Sequence, residues 1–141
     1  MTKTVNALLL ILVSSVTVFS FNSTVPTRDV FDTWFSRVKE HPECVSSSAV
    51  TENDLDQFFL HYQLPSTTSF KCFLTCFYGS YDLTHENGTI NVDEVVKDVA
   101  RITYETAAAC AGKARNIPDK CQIVYVFQNC ILHGNSFELT E

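Results

Sequence analysis

The nine residues Phe70-Lys71-Cys72-Phe73-Leu74-Thr75-Cys76-Phe77-Tyr78 say more about this chain's architecture than any others. Phe70, Phe73 and Phe77 recur at i, i+3 and i+7, one face of a helix expected from Ser66 to about Tyr78. Cys72 and Cys76 lie four apart, so on that helix they share a face and point the same way along it. Two thiols so placed bond separate neighbours more readily than each other. A C-x3-C pair can also bind zinc, but zinc sites suit a reducing compartment, and the rest of the chain argues for an oxidising one.

Working outward, the six cysteines are Cys44, Cys72, Cys76, Cys110, Cys121 and Cys130. An even count leaves no thiol over for catalysis, and excluding a Cys72–Cys76 bond still leaves most connectivities open. The N-terminus sets the compartment. Lys3, the unbroken apolar run Ala7 to Val13 and the small Ser20 read as a secretory signal peptide over residues 1–20, cut after Ser20. The run is shorter than the ~20 apolar residues of a membrane span, so no membrane insertion is expected. A secreted, extracellular protein with structural disulfides is the consequence, each bond contributing about 2–4 kcal/mol. Asn22 and Asn87 begin N-x-S/T sequons, candidate glycosylation sites, and Asn87-Gly88 also reads as a turn.

Loss of residues 1–20 removes only Lys3 from the charged set, so the formal charge moves from −6 to −7. An acidic surface repels phosphate backbones, which argues against nucleic acid as a partner. There is no G-x-S-x-G, no H-E-x-x-H and no Gly-rich phosphate loop, so no enzyme, metal or cofactor is expected. His41, His61, His85 and His133 lack metal-ligand spacing and read as solvated surface groups.

Periodicity gives about six helical segments. Val30, Phe31, Trp34, Phe35 and Val38 form a broad stripe, and Pro42 is expected to end or kink that helix. Thr51 opens a short helix with Asp54 as its capping partner and Leu55, Phe58 and Phe59 as its apolar face, closed by Pro65. Asp82 to Gly88 reads as a loop. Asn91 then caps a helix bearing Val92, Val95, Val96 and Val99. Tyr104 to Arg115 is alanine-rich. The last element, Asp119 to about Leu132, is rich in β-branched residues, yet its length favours a helix, apolar all round and central.

The full spacing C-x27-C-x3-C-x33-C-x10-C-x8-C resembles that of the insect odorant-binding proteins, the pheromone- and general-odorant-binding family. The x3 and x8 gaps are that family's most constant features. Glu86-Asn87-Gly88-Thr89-Ile90-Asn91 and Pro118-Asp119-Lys120-Cys121 are also similar, and the likeness spans residues 29–132. The 33-residue gap is a little short, which suggests a trimmed loop or fourth helix. The resemblance implies an all-α domain over residues 21–132, a six-helix bundle around an apolar cavity with three interlocked disulfides. The implied pairing is Cys44–Cys76, Cys72–Cys121 and Cys110–Cys130.

It also implies a carrier of a small apolar ligand, an odorant, pheromone or similar semiochemical. A membrane odorant receptor is an implied partner, and the carrier would be a monomer or weak homodimer. Candidate cavity walls are Phe70, Phe73 and Phe77, Val95 and Val99, and Val124, Phe127 and Ile131, with Tyr78, Tyr104 or Tyr125 as an orienting hydroxyl. Residues 133–141 form a tail in which Phe137 and Leu139 alternate with Glu138, a candidate lid made pH-sensitive by His133 and the tail carboxylates. Two rival readings stand beside this one. The first is a non-olfactory carrier of the same fold in saliva, venom or reproductive fluid; the second is a secreted interaction protein with a filled core.

Overall fold

A computed structural model describes residues 25–133, so the signal peptide expected over residues 1–20, Asn22, Phe137 and Leu139 lie outside the described residues. Among the described residues seven helices succeed one another: α1 (Thr27–Val38), α2 (Pro42–Ser48), α3 (Glu52–Phe59), α4 (Thr68–Ser80), α5 (Val92–Asp98), α6 (Tyr104–Ala114) and α7 (Lys120–His133). The all-α expectation holds. An isolated antiparallel bridge, Thr84 to Ile90, pins the loop between α4 and α5.

The count is seven rather than six because Pro42 begins a helix instead of ending one. It occupies the first turn of α2, where its missing N–H would have had no helical partner anyway. Ala49, in the left-handed region at φ 56°, closes that helix.

Local capping accounts for most of the other boundaries. Thr51 Oγ1 accepts the Asp54 N–H at 3.1 Å. The Asp54 carboxylate does not return to Thr51; it is buried and accepts the Thr67 hydroxyl at 2.9 Å. Thr67 thereby links α3 to α4, because its oxygen also accepts the Phe70 N–H at 3.2 Å and caps α4. Asn91 caps α5 and Thr103 caps α6 in the same manner. Asp119 Oδ1 accepts the Cys121 N–H at 3.0 Å at the start of α7. Gly88 is required twice over: its φ is +87°, and a Cβ there would stand 3.0 Å from the Lys120 side chain.

The ambiguous last element is helical and central, burying Ile123, Val124, Phe127, Gln128, Ile131 and Leu132. It packs most extensively against α4 and next against α6, while α2 packs on α4. These are the same three helix pairs that the disulfides join. Cys72–Cys121 links α4 to α7, Cys110–Cys130 links α6 to α7, and Cys44–Cys76 links α2 to α4. The pairing is the one that the resemblance implied, and no described cysteine is free.

Helices α1, α3 and α5 carry no cysteine and are held by packing and by polar contacts, some among themselves and some to the stapled four. Arg37 Nη1, on α1, donates to both carboxylate oxygens of Asp98, on α5, at 2.8 and 2.7 Å. Arg101 donates to Thr27 Oγ1 at 2.6 Å at the other end of α1. Tyr81, just beyond α4, donates to Glu40 at 2.6 Å and lies under the Arg37 guanidinium.

Candidate ligand-binding site

A small apolar cavity lies where the stapled and unstapled helices meet. Its unstapled wall is made by Val30, Phe31 and Trp34 of α1, Phe58 of α3, and Val99 and Ile102 after α5. Its stapled wall is made by Tyr78 of α4 and Gln128 and Ile131 of α7. Five parts of the chain therefore converge on it.

Its volume is about 20 Å³. That is room for about one water, against the ~300–1,000 Å³ of an open small-molecule pocket. At this site the described residues leave the apolar cavity that the resemblance implied nearly filled, and aromatic rings fill it. Phe31 meets Phe58 edge-on at 5.2 Å, Phe58 meets Phe70 at 5.2 Å, and Trp34 meets Phe77 and Tyr78 at 5.5 and 5.6 Å. Such offset and edge contacts add about 0.5–1.5 kcal/mol per pair beyond area burial. A ligand would enter by displacing rings, not by filling a standing void.

Of the wall residues expected from sequence, Val99 and Ile131 border the cavity. Phe70, Phe73, Phe77, Val95, Val124 and Phe127 are buried in the packed core beside it. Phe73 and Phe77 stack on each other at 5.7 Å. Val30, Phe31 and Trp34 are visible in the sequence as a helical stripe, although nothing in the spacing says which neighbour a stripe faces. Ile102 and Phe58 are equally silent.

The three candidate hydroxyls separate cleanly. Tyr104 is 60 % exposed. Tyr125 lies under the Lys71 ammonium, 4.6 Å from its ring centre, and takes no part in lining the cavity. Tyr78 is buried at the cavity wall and donates to Gln128 Oε1 at 2.5 Å. Burial holds the Tyr78 phenol protonated far above its ordinary range, and the negative Asp98 adds to the effect. Gln128 is not among the residues that the spacing singles out. It is nonetheless the polar break after the apolar run Val124 to Phe127, a signal present in the sequence.

The histidines mostly sit as expected: His61, His85 and His133 are exposed. His41 differs, being half-buried, 2.8 Å from Glu43 Oε1 and edge-on to Tyr81. Asn87 is exposed, and its Oδ1 accepts the Thr89 N–H and hydroxyl at 3.0 and 2.6 Å. That is the turn predicted there. Among the described residues no cluster of His, Cys, Asp or Glu could hold a metal ion, and no helix is long and apolar enough to cross a membrane.

A larger groove of about 400 Å³ runs between the 85–92 segment and α6. Its lining mixes His85, Thr89 and Arg115 with Ile90, Val92 and Ile123, so it is more polar than the first cavity. The model of the PBP/GOBP family matches residues 38–133, from the last residue of α1 to the end of α7. No curated protein and no solved structure matches the chain.

Proposed function

Because the chain belongs to the PBP/GOBP family, a family of small-ligand carriers rather than enzymes, we propose that it is a secreted carrier of one small apolar molecule. The cargo is an odorant, a pheromone or a similar semiochemical, held between α1, α3, the 99–102 segment and α7. The observation that carries this reading is the position of the cavity. It lies on the seam between four cross-linked helices and three that no disulfide restrains. A ligand can part that seam without disturbing the frame.

Secretion is supported by the signal-like residues 1–20 and by thiols that are all paired. Glycosylation at Asn22 and Asn87 would accompany that route. Ile131 borders the cavity two residues before His133, where α7 and the described residues end. Phe137 and Leu139 would then cover it as a lid. Delivery would be to a membrane odorant receptor, by a monomer or weak homodimer.

The closed cavity also supports the rival reading of an interaction protein with a filled core. One titration separates them. Residues 21–141, refolded with all disulfides, are mixed with an environment-sensitive naphthylamine dye. Saturable binding with a blue-shifted emission is the expected result. A dye that never binds removes the carrier reading and leaves the interaction protein.

A further inference from the structure

We propose that the side-chain amide nitrogen of Gln128 is the ligand-recognising donor of this cavity. Tyr78 acts as its positioning residue, and the cargo is an apolar molecule with an acceptor oxygen of the ketone, aldehyde or ester class. This rests on the carrier reading and narrows it to a substrate class.

Three polar side chains are buried among the described residues: Thr27, Asp54 and Gln128. Thr27 is held by Arg101 and Asp54 by Thr67. Gln128, 7 % exposed, differs in being half satisfied. A glutamine amide offers one acceptor oxygen and two N–H donors. Its oxygen takes the Tyr78 hydroxyl, and its nitrogen has no acceptor among the described residues.

Leaving such a donor unpaired in an apolar surround costs free energy. A single water fits the space beside it, so the ligand-free pocket has a way to satisfy that nitrogen. A ligand that displaces the water must bring an acceptor of its own or bear the cost of the unpaired group. A saturated hydrocarbon cannot do so, while a carbonyl can. Tyr78 selects which end of the amide is presented. Because its phenol donates to Oε1, the nitrogen is the end left to offer, and the site reads as donor rather than acceptor.

The test is competition against the naphthylamine dye with two probes of one chain length, 2-undecanone and undecane. The wild-type chain is expected to bind the ketone about tenfold more tightly, equivalent to about 1.4 kcal/mol. In Gln128→Leu the ratio of the two probe affinities, each taken from displacement of dye from that same variant, falls to about one, since the polar recognition is lost for the ketone and undecane never used it. In Tyr78→Phe the ring contacts remain but the amide is no longer oriented, so the ratio falls to an intermediate value. Gln128→Met provides a second apolar variant should the leucine variant fold poorly.

Equal affinities in the wild type, or a tenfold preference that survives both Gln128 variants, would overturn the proposal while leaving the carrier intact. A wild-type protein that binds no dye overturns the carrier and this proposal together.

Discussion

Helices α2, α4, α6 and α7 form one half of the molecule, and α1, α3 and α5 form the other. In the first half covalent bonds duplicate the packing: each disulfide joins helices that are already the most extensively packed pairs. In the second half polar contacts at helix ends replace the bonds: Arg37 to Asp98, Arg101 to Thr27, Tyr81 to Glu40 and Thr67 to Asp54. Covalent links persist on the timescale of ligand exchange, whereas hydrogen bonds at a half-exposed surface open and close within it. The difference places rigidity on one side of the cavity and adaptability on the other.

The largest effect should come from cutting the frame. Replacing Cys72 and Cys121 by serine releases a cross-link spanning 49 residues, and the cost is expected at about 2–5 kcal/mol in denaturant unfolding. The same change at Cys110 and Cys130, which span 20 residues, should cost about 0.8 kcal/mol less by chain entropy. If both pairs could be lost without measurable change, the frame would not be a frame.

Next in size is the clamp between α1 and α5, within the unstapled half. Asp98→Ala leaves Arg37 without its carboxylate, and because both side chains are about a quarter exposed the stability loss should be only about 1 kcal/mol. Its larger consequence is kinetic: the dye on-rate in stopped flow should rise several-fold as α1 moves more freely. An unchanged on-rate would mean that α1 is not the moving wall.

Elements set by local chemistry are legible in the sequence alone. The Phe70 to Tyr78 helix, the Thr51 and Asn91 caps and the Asn87-Gly88 turn depend on residues within a few positions of each other. Pro42 is not legible in this way, because proline both stops a helix and starts one. Which role it takes depends on whether the residues after it are themselves held in a helix, as Glu43 to Ser48 are by the Cys44–Cys76 bond and packing on α4. The location of the cavity is less legible still. The Phe70, Phe73 and Phe77 stripe and the Trp34 stripe have the same periodicity, and only docking decides that Trp34 borders the cavity while the phenylalanines fill the core. Disulfide pairing comes from the family likeness, since spacing excludes only Cys72 with Cys76. Gln128 is legible in principle as a polar residue beside an apolar run, but an amide in a helix reads as surface until its neighbours are known.

Deleting the tail after Leu132 should change stability little and raise the dye off-rate a few-fold; unchanged off-rates would remove the lid from the proposal. The smallest effect concerns Tyr81, which joins the two halves by donating to Glu40 at the end of α1. Burial and then the hydrogen bond to Glu40 push its phenol up to about 12. In the unfolded chain a tyrosine ionises near 10. Between those values the unfolded state sheds the proton first, so the native state binds more protons and stability falls as pH rises. The Tyr81 contribution is thus complete below about pH 10 and lost as pH climbs towards 12. Phenolate absorbance, compared between wild type and Tyr81→Phe, isolates the group. Glu40→Gln should bring its ionisation to lower pH, because an amide repels the phenolate less than a carboxylate does. If Tyr81 ionised at the same pH in both backgrounds, the contact with α1 would hold the ring by packing alone, and the seam would have one polar tie fewer.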